Sequence, residues 1–135
     1  QDLYNGEVKA YQISRSQNQD LILKTLKKAI NPNEDLSKLL IHSDQGILYQ
    51  SPKYRNYLKK SSFTQSMSAK GNAYDNAVVE SFFGTLKCET IYLQKVKSLA
   101  DLIRTIDEYI YWYNHERIKL TLGGYSPIQY RLMNQ

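Results

Sequence analysis

The sequence predicts an α/β domain built in three layers. Three observations carry this expectation. Strand-like runs alternate with helix-like stretches in the order β-α-β-α-β-α-α. The run Lys38 to His42 is continuously apolar through Leu39, Leu40 and Ile41, as in a strand buried on both faces. The stretch Leu99 to Glu116 carries Leu99, Leu102, Ile103, Ile106, Ile110 and Tyr113 at helical spacing. The 135 residues suffice for one domain with its own core and leave little room for two.

The elements follow in chain order. Tyr4-Asn5-Gly6 marks a tight turn, because Asn-Gly tolerates the positive φ that a hairpin demands. Glu7 to Ser14 alternates and predicts a strand, so the chain is expected to open inside a hairpin. Residues 18 to 30 place Ile22, Leu23, Leu26, Ala29 and Ile30 on one helical face, with Lys24, Lys27 and Lys28 largely elsewhere. Asn31-Pro32-Asn33 stops that helix. After the apolar run, Ser43-Asp44-Gln45-Gly46 forms a polar turn. Ser51 caps the next helix with Pro52 at its first position, and Tyr54, Tyr57 and Leu58 line it. Phe63, Gln65 and Met67 alternate with Thr64 and Ser66, which predicts a short strand.

Ser68 to Tyr74 is small and polar, includes Gly71, and predicts a mobile loop. Asp75 or Asn76 caps a long helix to about Leu93, with Val79, Phe83, Leu86 and Thr90 on its apolar side. Gly123-Gly124 breaks the chain, and Ser126-Pro127 opens a final helix.

Composition narrows the classes of function. Cys88 is the one cysteine, so no internal disulfide is available and a reducing compartment is expected. One cysteine and two histidines supply too few ligands for a zinc site. No apolar run approaches the roughly 20 residues of a membrane span. The net charge of +5 suits an anionic partner.

Two acidic residues stand where chemistry collects. Asp44 follows the apolar run, and functional groups gather at the carboxyl ends of strands in open α/β sheets. An aspartate there is equally ordinary turn chemistry. On the long helix, Asn76, Glu80, Gly84 and Lys87 fall on one side at about 100° per residue. Gly84 costs about 1 kcal/mol relative to alanine, which predicts a role in packing or in close approach of a ligand. The plain alternative is a solvated face with one awkward glycine.

The pair is more specific than either member. Thirty-five residues separate Asp44 from Glu80, in the strings H-S-D-Q-G at 42 to 46 and G-N-A-Y-D-N-A-V-V-E-S-F-F-G-T-L-K at 71 to 87. A third string, Y-N-H-E-R-I-K-L-T-L-G-G-Y-S-P-I-Q-Y, spans 113 to 130. With these three, the chain resembles over nearly its whole length the DDE-type integrase core of bacterial insertion-sequence transposases. That superfamily includes the retroviral integrases.

The resemblance implies a ribonuclease H-like fold. It implies three carboxylates, two Asp and one Glu, that bind two divalent metals, Mg²⁺ or Mn²⁺. It implies cleavage of element-end DNA to free a 3′-hydroxyl, which then attacks another phosphodiester by in-line displacement. Asp44 takes the place of the second carboxylate, Glu80 that of the third, and Lys87 that of a basic residue contacting DNA near the element end.

The first carboxylate is expected upstream of residue 1, because Asp2-Leu3-Tyr4-Asn5 resembles the close of the family's second strand. The fold is therefore expected to be truncated at its N-terminus, lacking the first strand and most of the second. These residues alone are expected to bind metal weakly and to lack strand-transfer activity. An unpaired sheet edge predicts self-association as a dimer. The expected location is the bacterial cytoplasm, at the nucleoid when acting, with no membrane partner.

Further candidates carry two readings each. His42 stands two before Asp44, and either orients it or touches DNA, or is simply packed. Lys70, Asn76 and Arg117 are candidate DNA contacts, with helix capping as the structural reading of Asn76 and solvation that of Arg117. Ser66, Ser68 and Gly71 offer backbone N–H groups to a phosphate. Tyr109, Tyr111, Trp112 and Tyr113 read as core packing rather than a base-stacking platform. Two other classes of function stay open: a ribonuclease H-like metal-dependent nuclease, and a non-catalytic DNA-binding or assembly module.

Overall fold

A computed structural model describes residues 1–31, 35–69 and 76–134. Its elements are α1 (Gln19–Ala29), β1 (Leu40–Ser43), α2 (Ile47–Gln50), α3 (Pro52–Lys60), β2 (Thr64–Met67), α4 (Ala77–Leu86), α5 (Leu99–His115) and α6 (Pro127–Met133). A π turn, Lys87–Ile91, continues α4. The chain divides into two compact units, one of residues Ala10–Val78 and one of Gln1–Lys9 with Val79–Gln135.

In the unit Ala10–Val78, β1 and β2 pair in parallel, from Leu40 opposite Thr64 to Ser43 opposite Met67. A parallel pair needs a crossover, and α2 and α3 supply it. Ser51 caps α3 by accepting the Tyr54 N–H at 3.2 Å, with Pro52 first in the helix, as expected. Asn18 caps α1 by accepting the Leu21 N–H at 2.9 Å. The core is Tyr54, Leu58 and Phe63, against which Ile22, Leu23 and Leu26 of α1 pack.

The expectation that β1 is buried on both faces is corrected. Leu39 and Ile41 pack on the core cluster, so strand alternation turns Leu40 and His42 to the opposite face. Leu40 stays 59% exposed there.

The other unit buries Phe82, Leu86, Tyr109, Ile110, Tyr113 and Leu122 together with Val8. Two stripes depart in part from their expected positions. Along α4 and its π turn Leu86 and Thr90 are buried as expected, but Phe82, held edge-on against Tyr113 at 5.1 Å, takes the core place expected of Phe83, which is exposed. On α5 the buried positions are Thr105, Tyr109, Ile110, Tyr113 and Asn114, while Leu99 and Ile103 are exposed. Of the four aromatic residues expected in the core, Tyr109 and Tyr113 are buried, and Tyr111 and Trp112 face solvent.

The tight turn at the start is present. Gly6 N–H donates to the Asp2 carbonyl at 2.9 Å, Asp2 N–H donates to the Glu7 carbonyl at 2.8 Å, and Gly6 has φ +78°. The strand expected over Glu7 to Ser14 is not formed. Its physical substitute is a side chain. Val8 N–H donates to Asn114 Oδ1 at 2.9 Å, and Asn114 Nδ2 donates to the Val8 carbonyl at 3.1 Å. A primary amide presents the donor and acceptor that a neighbouring strand would offer. Buried Asn5 acts likewise at the turn, donating from Nδ2 to the Pro127 carbonyl and accepting the Glu7 N–H.

Asn114→Ala leaves both backbone groups of Val8 unpaired in a buried place. The expected cost is about 2–4 kcal/mol, seen as a lower urea midpoint. Hydrogen exchange should show the Val8 amide losing its protection. An unchanged midpoint with a protected Val8 amide contradicts this account of the N-terminal segment.

Candidate functional site

Asp44 is the first residue after β1, at the carboxyl end of the parallel pair. Its Oδ1 accepts the Gly46 N–H at 2.8 Å, a two-residue side-chain turn that holds the carboxylate in place. No hydrogen bond reaches Oδ2 among the described residues, and the side chain is exposed. Gly46 allows this closeness: a Cβ there would stand 2.9 Å from Asp44 Oδ1. Half-buried Tyr49 lies alongside, its hydroxyl pKa raised by burial and then by the Asp44 charge.

The turn is fastened through Ser68. Its N–H donates to the Ser43 carbonyl at 3.0 Å, its carbonyl accepts Gln45 Nε2 at 3.0 Å, and its hydroxyl meets His42 Nε2 at 3.0 Å. The other ring nitrogen of His42 meets the Ser66 hydroxyl at 3.0 Å. Both nitrogens thus bond serines at and just after β2, so His42 makes no direct bond to Asp44 and reaches it only through Ser68. Ser68 is buried with its N–H and hydroxyl both engaged, so it offers neither to a phosphate.

The long helix carries the second carboxylate. Glu80 lies in the first turns of α4, is exposed, and makes no hydrogen bond or ion pair among the described residues. Gly84 lies one turn on, and Lys87 opens the π turn, exposed and without an ion pair among the described residues. Glu80 to Lys87 spans about 10 Å of axis on one helical face. Asn76 directly precedes α4 and is half-buried. A Cβ at Gly84 would meet nothing within 4 Å, so the glycine serves no packing among the described residues. Of its two expected uses, close approach of a ligand is the one that still fits.

Arg117 is held inside its own unit. Its Nε lies 2.9 Å from Glu89 Oε2 and its guanidinium Nη2 2.5 Å from Oε1, a two-pronged ion pair. The Tyr109 hydroxyl donates to Glu89 Oε2 at 2.7 Å, so one carboxylate of the π turn gathers two residues of the unit. The Arg117 hydrogen bond holds the Glu89 carboxyl below its ordinary value against the rise from burial, with a lesser lowering from Tyr109. No motif marks Glu89 in the sequence. Nor does any mark Gly46 and Gln45 as supports of Asp44, although H-S-D-Q-G contains them.

Asp2 and Asp20 serve the structure. Asp2 Oδ1 accepts the Tyr4 N–H at 2.8 Å, and Asp20 in the first turn of α1 pairs with Lys53 at 2.6 Å. Cys88 is free and exposed. Lys70, Gly71, Asp75, the loop before Asp75, and the Pro32-Asn33 helix stop lie outside the described residues. Among the described residues no three His, Cys, Asp or Glu side chains group closely enough to hold a metal, and no helix is long and apolar enough to cross a membrane.

Comparison with known proteins shows the family. Residues 1–73 match one description of the integrase core domain, and residues 80–134 match a second. The chain belongs to the integrase core domain family. A transposase-like protein of Haemophilus influenzae is 45% identical over 130 residues, covering 96% of this chain and 60% of that protein. The putative transposase InsK for insertion sequence element IS150 of Escherichia coli is 44% identical over 133 residues, covering 96% and 46%. The chain thus spans about half the length of these relatives.

The crystal structure of the catalytic core domain of BIV integrase superposes with a TM-score of 0.70. The match covers 96% of this chain and 80% of that one at 20% identity. The expected ribonuclease H-like α/β fold is therefore present.

A carboxylate with a lowered folded pKa contributes stability above its unfolded value and loses it as pH falls through the lowered one. Glu89→Gln is therefore expected to be less stable than the parent near neutral pH. The gap should close as pH falls from about 4.5 downward. Urea midpoints across that range test it, and a gap that persists unchanged into acid contradicts it.

Proposed function

We propose that this chain is the catalytic part of a DNA transposase, with Asp44 and Glu80 as its metal-holding carboxylates. The observation that carries the reading is the state of these side chains. Among the described residues, Asp44 is fixed at the end of a strand through one oxygen with no hydrogen bond to the other, and exposed Glu80 and Lys87 flank half-buried Gly84 with no internal partner. Carboxylate oxygens suit a hard divalent cation such as Mg²⁺ or Mn²⁺. When bound, two such ions activate the attacking oxygen and stabilise the leaving one in an in-line displacement at phosphorus.

The chain's own residues do the rest. Gly46 N–H keeps Asp44 Oδ1 occupied and leaves Oδ2 to take a metal. Gly84 lets a DNA backbone come close to the helix between Glu80 and Lys87. Lys87 meets a phosphate and sets the position of the strand to be joined. In this reading the partner is DNA, at the element end and the target.

These residues hold two of the three carboxylates that the family pattern implies. Alone, they are expected to give no strand-transfer product from pre-cleaved element-end DNA with Mg²⁺ or Mn²⁺. A product that Glu80→Gln abolishes contradicts that expectation.

Transposition of a marked element by the full-length protein tests the reading itself. Asp44→Asn and Glu80→Gln should each reduce the frequency beyond the roughly 10–100-fold that loss of an outer partner costs. Gly46→Ala, which crowds Asp44 Oδ1, should fall within that range. The double carboxylate variant should be little worse than either single, because the two act as a unit. Gly84→Ala should raise stability by about 1 kcal/mol while weakening DNA binding. Wild-type frequency in Glu80→Gln overturns the reading.

A further inference from the structure

The net charge of the chain is unevenly placed. Residues 10–78 hold ten Lys and Arg against five Asp and Glu, whereas the other unit holds eight of each. The whole excess of +5 therefore lies in the unit Ala10–Val78. Within it, α1 and α3 carry seven basic residues, all exposed, and one acid, Asp20.

Two contacts bring these helices side by side. Lys53 pairs with Asp20 at 2.6 Å, and the Lys27 ammonium sits 5.6 Å from the centre of the Tyr57 ring. The first neutralises the only acid on the two helices. Lys24, Lys27, Lys28, Lys59 and Lys60 form no ion pair among the described residues. Lys24 and Lys28 are one turn apart, about 6 Å along the axis. Like charges this close repel one another and destabilise the compact state, unless an anion offsets them.

We infer that the exposed face of α1 and α3 is a binding surface for the phosphate backbone of duplex DNA. The inference rests on the transposase reading for its choice of polyanion. Two observations support that choice. A duplex carries one charge per about 1.7 Å of its axis, so lysines spaced along two adjacent helices each find a phosphate without a fixed register. No exposed large hydrophobic residue lies on α1 or α3, so the face lacks the apolar wedge by which a basic helix enters a lipid interface. Its lysines meet phosphates rather than base edges, so the surface binds without sequence preference. It shares no residue with the α4 stripe around Lys87, which the proposed chemistry uses.

Anisotropy titrations of the full chain with a labelled duplex of arbitrary sequence, over a range of salt, test this. Lys24→Gln/Lys28→Gln removes two phosphate contacts. It should lower the slope of log affinity against log salt by about 2 and weaken binding at least about tenfold at low salt. Lys95→Gln/Lys97→Gln, in the electrically balanced unit, should leave slope and affinity unchanged. Both pairs are exposed or lie outside the core, and circular dichroism checks that each variant folds.

Equal losses in the two variants, or no loss in the first, overturn the inference. So does tighter binding to anionic phospholipid vesicles than to the duplex. A normal salt response in Lys24→Gln/Lys28→Gln alongside weaker binding in Lys87→Gln removes this surface and leaves the transposase reading intact. That reading falls separately, if transposition survives Glu80→Gln.

Discussion

The position of Asp44 depends on one buried serine. Ser68 joins the end of β2 to the end of β1 with its N–H, to Gln45 with its carbonyl and to His42 with its hydroxyl. Each group would cost about 1–3 kcal/mol if buried without a partner, so the arrangement holds together or fails together. The parallel register brings the two strand ends level, and the side-chain turn from Asp44 to Gly46 starts from that fixed point. A carboxylate placed this way keeps its direction at little cost in entropy, which a metal ligand requires.

The same economy appears in the other unit. Where a strand ladder was expected, Asn114 and Asn5 complete the backbone of Val8 and Glu7 with their side-chain amides. The Arg117–Glu89–Tyr109 group ties the π turn that begins at Lys87 to α5 and the segment after it. Arg117 therefore contributes through the turn that presents Lys87, whatever else it meets. Gly84 stands out because nothing inside the described residues uses it.

What the sequence made legible was local. Ser51-Pro52 and Ser126-Pro127 announce helices because capping uses residues next to one another, and Ser126 with Gln129 completes a capping box. The helical stripe of α5 was visible, but not its rotation, because Thr105 and Asn114 are buried for reasons of packing and backbone satisfaction that hydrophobicity does not register. Phe82 and Phe83 are chemically identical, and only the edge contact with Tyr113 separates core from surface. The bond from Asn114 to Val8 spans 106 residues and leaves no local trace. Asp44 and Glu80 stand out as candidates through their spacing and neighbours. The supports from Ser68, Gln45 and Gly46 needed coordinates.

Charge placement adds a second layer. The unit with Asp44 carries the entire positive excess, whereas the unit with Lys87 is balanced. The two proposals thus assign affinity for a polyanion and local placement of one phosphate to different residues.

The most direct test of the central claim is paramagnetic. Mn²⁺ added to the ¹⁵N-labelled chain broadens amide signals close to where it binds, without any need for turnover. The expected result is early broadening at Gln45 and Gly46 and at Ser81 and Gly84, lost together in Asp44→Asn and in Glu80→Gln. Broadening that spares these residues, or that persists unchanged in both variants, would contradict the assignment of Asp44 and Glu80 as the metal-holding carboxylates.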